Sequence, residues 1–156
     1  MCAGWRQDRT VAVRERREVE GFGAWTVKAG LPHAAPPWAV LERMVGLRVH
    51  LDPVRPENAP LLVAPGSHRL GRVPVDEVAA AAERCGTAVC EAEAGDVWLY
   101  PTPILHASKA ATVPATPREP RAIWGESRAR ASGGGFRRAA CGYELLAEAG
   151  TADAVA

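Results

Sequence analysis

The sequence lacks the features that mark several classes of protein. No apolar run approaches membrane-spanning length, and the first residues show no signal-peptide pattern, so we expect no membrane partner. The net charge is only +1, which argues against a general nucleic-acid binder. The four cysteines have no CxxC spacing, which favours free thiols in a reducing cytosol over disulfides or a zinc site. These absences predict a cytoplasmic protein.

Long helical patterns are also scarce. The chain has 156 residues with 13 prolines and 15 glycines, which is enough for one domain and indicates many turns between short elements. The stretch Asp76 to Arg84 is the one convincing helix, with Asp76 able to cap its start and Gly86 able to end it. A short helical turn is expected from Trp38 to Met44.

The remaining periodic segments read as strands, so the predicted fold is an all-β sandwich or barrel with one inserted helix. In Met44 to Asp52, Val45, Leu47, Val49 and Leu51 face one side of the strand, while Arg48, His50 and Asp52 face the other. Val97 to Tyr100 reads as a buried strand, and Gly21 to Pro37 as a long loop. The other predicted strands are Arg9 to Val13, Leu61 to Ala64, Thr87 to Glu93 and Arg121 to Trp124.

One histidine follows the most apolar part of the chain. In AGDVWLYPTPILHAS, residues 94 to 108, the run Ile104-Leu105 leads into His106. A buried imidazole needs a polar partner, because burying it without one is costly. Taken alone, His106 fits a core histidine bonded to a backbone carbonyl better than a functional residue.

Five segments in order change that interpretation: WRQDRT, FGAWTVKAG, LRVHLDP, ENAPLLVAPGSHRLG and AGDVWLYPTPILHAS. Together they resemble the phytanoyl-CoA dioxygenase family over roughly residues 5 to 124. The resemblance implies a double-stranded β-helix of the jelly-roll or cupin-like type, with Fe(II) as cofactor and 2-oxoglutarate as co-substrate. It implies an oxygenase that hydroxylates a small organic substrate.

The resemblance also implies site residues. Asp8 matches the family's carboxylate ligand to iron, and His106 matches its distal histidine. Gln7 and Ser108 match residues near the co-substrate, and Trp25 falls in the segment that supplies an aromatic wall. The family's last strand carries an arginine that grips 2-oxoglutarate, for which Arg121 is the first candidate and Arg118 the second.

The chain departs from the family at the first metal ligand. Position 6 is arginine where the family has histidine, and a guanidinium has no lone pair to offer a metal. We therefore expect weak iron binding or none. The sequence His50-Leu51-Asp52 is an alternative metal pair, although a strand residue with a local hydrogen bond is the more economical interpretation of His50.

The ends of the chain depart as well. The family's leading strand and N-terminal helices are missing, and the resemblance to the family ends after Trp124. The sequence therefore predicts a partial β-helix domain over residues 1–124 and a poorly ordered tail over residues 125–156, where a frameshift is one explanation. Besides an oxygenase, two alternatives stay open: a non-catalytic fold that binds a small acid without iron, and an unstable fragment.

Overall fold

The structure, a computed structural model, describes residues 3–112, 121–127 and 139–140. Within these ranges the chain forms eleven short strands and two α-helices. The strands are β1 Ala3–Arg6, β2 Val11–Ala12, β3 Gly23–Lys28, β4 Leu31–Ala35, β5 Met44–Val49, β6 Leu61–Val63, β7 Ala88–Cys90, β8 Val97–Pro101, β9 His106–Ser108, β10 Arg121–Ser127 and β11 Ala139–Ala140. The helices are α1 Trp38–Leu41 and α2 Val78–Cys85. Neither helix is long and apolar enough to cross a membrane, nor is any other helical segment in the described part of the chain.

The described strands form three antiparallel sheets. Two have four strands, in the orders β1-β9-β6-β7 and β11-β10-β5-β8, and the third has the order β2-β4-β3. From β5 to β10 the chain passes repeatedly between the two four-stranded sheets, as it does in a jelly roll. The predicted all-β, double-stranded β-helix with one longer helix is confirmed.

The two four-stranded sheets pack face to face. Apolar side chains of β6 and β7, with Ile104, contact Trp98 and Tyr100 of β8 and form the core between the sheets. On the far side of the first sheet, helix α2 buries Val78, Ala81 and Ala82 against Leu105 and its neighbours. The strand that carries His106 is therefore supported on both faces.

Strand β5 turns its polar side inward. Gly46, Arg48 and His50 are buried, whereas Val45 is 40% exposed and Leu51, just beyond the strand, is 50% exposed. The predicted alternation of this segment is confirmed, but the pattern alone did not show which side faces the interior. The side of β5 that carries Arg48 faces the interior.

Strand β8 is half-buried, so its prediction as a buried strand is wrong. Trp98 and Tyr100 point into the core, but Val97 is 52% exposed and Leu99 is 64% exposed. The physical reason is that alternate side chains of a strand point to opposite faces of the sheet. The opposing sheet covers only one of those faces.

The prediction of a loop over residues 21–37 is also wrong. This segment forms a hairpin of β3 and β4, in which Lys28 lies opposite Leu31. The two turn residues, Ala29 and Gly30, have φ of 49° and 77°, as a type I′ turn requires. Alanine is unusual in the left-handed region, so this turn is difficult to predict from its residues.

The helix and the last strand differ from their predicted bounds. Helix α2 begins at Val78, because Val75–Glu77 form a 3-10 turn and Asp76 does not cap the helix. The end at Gly86 is confirmed, with φ of 75° there. Strand β10 runs past position 124, and β11 lies within the predicted tail. The rest of that tail lies outside the described residues, so the division at residue 124 stays a prediction.

Candidate functional site

Asp8 and His106 come together at the edge of the first sheet. Asp8 lies just after β1, His106 begins β9, and 3.7 Å separates Asp8 Oδ1 from His106 Nε2. The Asp8 side chain is 41% exposed, while that of His106 is 8% exposed. The two residues that the resemblance matches to metal ligands thus lie close together, and a carboxylate oxygen and an imidazole nitrogen meet where the Asp8 side chain is partly exposed to solvent.

The position of His106 is held by its own segment and by the turn at Ser67. His106 lies opposite Val63 in the sheet, and its Nδ1 is 3.0 Å from the Ile104 carbonyl oxygen. When Nδ1 carries the proton, that contact is a hydrogen bond, and the other ring nitrogen, Nε2, faces Asp8. The Leu105 N–H donates to Ser67 Oγ at 2.8 Å. The pairing of β6 with β9 and this hydrogen bond therefore place the PGSH turn beside the ILHAS segment.

Gln7 ties the segment before Asp8 to two other parts of the chain. Its Nε2 donates to the carbonyl oxygens of Gly71 and Pro103, each at 2.9 Å. Its Oε1 accepts from the Val73 N–H at 3.1 Å. These bonds fix the backbone from which Asp8 projects. The role of Gln7 near the co-substrate stays a prediction.

Arg6 occupies the place opposite His106. Strands β1 and β9 pair antiparallel, with Arg6 and His106 as direct partners. Directly opposite residues of such a pair share a face and are close neighbours. The Arg6 side chain is exposed. A histidine at this position would be the third donor near Asp8 and His106, and the chain carries arginine there.

The described residues do not fit an iron site of the family type. No group of three His, Cys, Asp or Glu side chains among them is arranged to hold a metal ion. Asp8 and His106 supply two donors, and the guanidinium of Arg6 supplies none. The alternative pair, His50 and Asp52, is not part of a three-donor group either. The backbone of His50 instead bonds to Gly95 and Asp96.

The interior between the sheets is lined by polar and aromatic groups of β5 and β8. Arg48 is 6% exposed and lies opposite Trp98. Tyr100 lies over Gly46, where a Cβ would come within 2.5 Å of Tyr100 Cε2. Burial raises the pKa of the Cys90 thiol, and the positive charge of Arg48 lowers it in part.

The remaining predicted site residues are spread over three sheets. Ser108 is on β9, half-buried and opposite Leu61. Trp25 is on β3 in the three-stranded sheet, with the Arg16 guanidinium 5.5 Å from its ring centroid. Arg121 begins β10. Arg118 lies outside the described residues. Their roles toward the co-substrate stay predictions.

Sequence reasoning missed that Arg48 faces the interior. The alternation of β5 placed Arg48 on the opposite side from the valines and leucines. Apolar side chains are usually the buried ones, so the pattern favoured an exposed arginine. The glycine at position 46 was the available signal, because a glycine within a strand indicates a close approach by another group.

Comparisons with known proteins agree with the resemblance. A family model described as phytanoyl-CoA dioxygenase matches residues 7–119. Two solved structures are similar, EctD from S. alaskensis in its apoform and the same protein with bound Fe. Each is 31% identical, has a TM-score of 0.44, and is matched over 53% of this chain and 30% of its own length. No curated protein matches the chain. The family match covers most of the sequence, and this chain belongs to the phytanoyl-CoA dioxygenase family.

Proposed function

We propose that this chain is a small-acid-binding member of the family, which takes 2-oxoglutarate or a similar dicarboxylate and holds iron weakly or not at all. The observation that carries the proposal is that Arg6 lies opposite His106. Residue 6 is the position that the resemblance assigns to the first metal ligand. The remaining donors are Asp8 and His106. Two donors hold a metal less firmly than three.

The charge of Arg6 acts against a metal as well. A unit charge about 4 Å from a dication repels it by roughly 8 kcal/mol at an effective dielectric constant of about 20. The exposed Arg6 side chain can turn toward water, so the actual repulsion is smaller. Even without any repulsion the third donor is missing.

A second candidate is an iron- and 2-oxoglutarate-dependent dioxygenase that hydroxylates a small organic substrate. The meeting of Asp8 and His106 favours it, because these are the residues that match two of the family's ligands. In this reading Ser108, Gln7 and Trp25 contact 2-oxoglutarate, and Arg121, or else Arg118, grips its far carboxylate. The identity of the hydroxylated substrate is left open.

The compartment is also part of the proposal. Two cysteines in the described part of the chain, Cys85 and Cys90, are free thiols. Free buried thiols are typical of proteins in a reducing compartment. We therefore place the protein in the cytoplasm, with a small molecule as its partner.

Anaerobic titration separates the two candidates. The wild-type chain is titrated anaerobically with Fe(II) and, separately, with 2-oxoglutarate in the absence of metal. Succinate release is then measured with both present after oxygen is admitted, because oxygen is the oxidant that converts 2-oxoglutarate to succinate. Binding of 2-oxoglutarate without tight iron binding supports the small-acid function. Tight iron binding with succinate release overturns it in favour of the dioxygenase. A circular-dichroism melt of the same sample shows whether the chain is folded, which tests the alternative of an unstable fragment.

A further inference from the structure

Lys28, the last residue of β3, is bonded to the segment that follows β1. Its Nζ donates a hydrogen bond to Thr10 Oγ1 at 2.9 Å. A lysine ammonium has three N–H donors, so this bond leaves donors for a further acceptor. The Lys28 side chain is exposed, and a molecule arriving from solvent can therefore reach its charge.

The segment between β1 and β2 turns alternate side chains to opposite sides. Gln7 Oε1 accepts a hydrogen bond from the Val73 N–H at 3.1 Å, and the Arg9 guanidinium donates to the Val73 carbonyl oxygen. Both side chains therefore project to the same side, as residues i and i+2 of an extended segment do.

Asp8 and Thr10 alternate with those two residues and share the opposite side. Two residues of extended chain span at most about 7 Å, so the Cα atoms of Asp8 and Thr10 are no farther apart than that. The ammonium of Lys28, bonded to Thr10, thus lies on the side from which Asp8 meets His106. A mobile positive charge is therefore held near the exposed carboxylate of Asp8.

An acid that approaches the Asp8–His106 pair meets the negative charge of Asp8, whose side chain is 41% exposed. Two anions repel each other, so the acid needs a positive charge to offset that repulsion. Lys28 supplies one, and the exposed Arg6, opposite His106, supplies another. These two positive charges exceed the one negative charge of Asp8, which favours an anion over a cation here.

We propose that Lys28 is a specificity-determining residue of this site and that its ammonium binds the second carboxylate of a dicarboxylic acid. Thr10 is a positioning residue, since it acts by holding that ammonium in place. A lysine ammonium binds as a point charge, so the contact depends on the charge of the carboxylate more than on its orientation. The inference rests on the proposed function, because it concerns the acid that the chain takes.

Two acids of equal chain length test this inference. 2-Oxoglutarate has a second carboxylate where 2-oxopentanoate has a methyl group, so the ratio of their affinities measures the preference for that carboxylate. Isothermal titration of the full chain compares the wild type with Lys28→Met, Thr10→Val, the double variant and Lys28→Arg. Arg43→Met is the matched control, because Arg43 is exposed, lies just before β5 and also loses one positive charge.

We expect Lys28→Met to weaken 2-oxoglutarate binding by about three- to tenfold at low salt and to leave 2-oxopentanoate binding unchanged. The loss should shrink in about 1 M NaCl, where charges are screened within about 3 Å. Thr10→Val should lose part of the same preference, and the double variant should lose no more than Lys28→Met. Lys28→Arg keeps the charge and should keep most of the preference. Arg43→Met should change neither affinity.

Two results overturn the inference and leave the proposed function standing. One is a Lys28→Met chain with the wild-type preference for 2-oxoglutarate, and the other is an equal loss of affinity for both acids. Where Lys28→Met does not fold, Lys28→Gln must show the same selective loss. A wild type that binds neither acid contradicts the proposed function and this inference with it.

Discussion

Arg6 and His106 are direct partners across the β1–β9 pair, and Asp8 Oδ1 lies 3.7 Å from His106 Nε2. A single side chain therefore separates this arrangement from a set of two histidines and one carboxylate. Such a set is typical of non-haem iron sites. The backbone already brings the three positions together, so we expect the identity of residue 6 to decide whether a metal is held.

Replacing Arg6→His should create an iron site. The new imidazole adds the third donor and removes a positive charge. We expect Fe(II) affinity to rise by more than about a hundredfold over the wild type, since even outer-sphere partners of metal ligands are worth about 10- to 100-fold. Anaerobic Fe(II) titration measures the change.

Arg43→His is the control for this prediction, because it adds one histidine at an exposed position away from β1 and β9. It should leave Fe(II) affinity at the wild-type level. If Arg6→His gains no more than this control, residue 6 does not stand at a ligand position.

Replacing Gln7→Ala should destabilise the fold strongly. The substitution removes three hydrogen bonds and leaves the backbone groups of Gly71, Val73 and Pro103 without this partner. We expect the free energy of unfolding to fall by about 2–4 kcal/mol. Urea denaturation measures it. Asn58→Ala, which removes an exposed hydrogen bond to the Arg55 N–H, should cost well under half as much. Equal losses for the two variants would contradict a bracing role for Gln7.

Replacing Gly46→Ala should displace the ring of Tyr100. The new Cβ would lie 2.5 Å from Tyr100 Cε2, which is too close for van der Waals contact. We expect a loss of about 1–3 kcal/mol in the free energy of unfolding. Gly4→Ala is the matched control in strand β1, because nothing lies within 4 Å of its added Cβ.

A double-mutant cycle identifies the cause of that loss. In a Tyr100→Ala background, Gly46→Ala should cost much less, because the clashing ring is gone. The same cost in both backgrounds would mean that the backbone of β5, and not Tyr100, resists the change.

Cys90 should react more slowly than Cys85 with iodoacetamide. Burial raises the pKa of the Cys90 thiol, with partial compensation by Arg48, so the reactive thiolate is scarce at neutral pH. Cys85 is only half-buried. Peptide mass spectrometry after timed alkylation should show Cys90 modified about tenfold more slowly. Equal rates at the two thiols would contradict the raised pKa.

The same thiol gives stability a pH dependence. The pKa of Cys90 is higher in the folded chain than in the unfolded chain, so the unfolded chain loses its proton first as the pH rises. The stabilising contribution is present below the pKa of the unfolded thiol and is lost as the pH rises through the folded pKa. The free energy of unfolding should therefore fall at alkaline pH, and Cys90→Ala should fall less steeply than Cys85→Ala. If the free energy of unfolding of the wild type does not fall at alkaline pH, the raised pKa of Cys90 is contradicted.

The sequence predicted where the strands lie better than which of their faces are buried. The alternation of residues 44–52 located β5, because side chains of a strand alternate whatever covers them. It did not show that Arg48 faces the interior, since that depends on which sheet packs on which side. Asp8 and His106 could be paired through their family motifs alone, as they are far apart in the chain. The hairpin of β3 and β4 was missed because Ala29-Gly30 is a poor signal for its turn.

The outward face of β5 and β8 has a practical consequence for work with this chain. Val45, Val97 and Leu99 expose between 40% and 64% of their surface there. Salts such as sulfate and phosphate strengthen association between exposed apolar surfaces. The chain should therefore precipitate early in an ammonium sulfate series and be retained on a hydrophobic-interaction column. Melting curves recorded in sulfate or phosphate buffer will report association of unfolding chains together with unfolding, so low-salt buffers with neither anion are the appropriate choice.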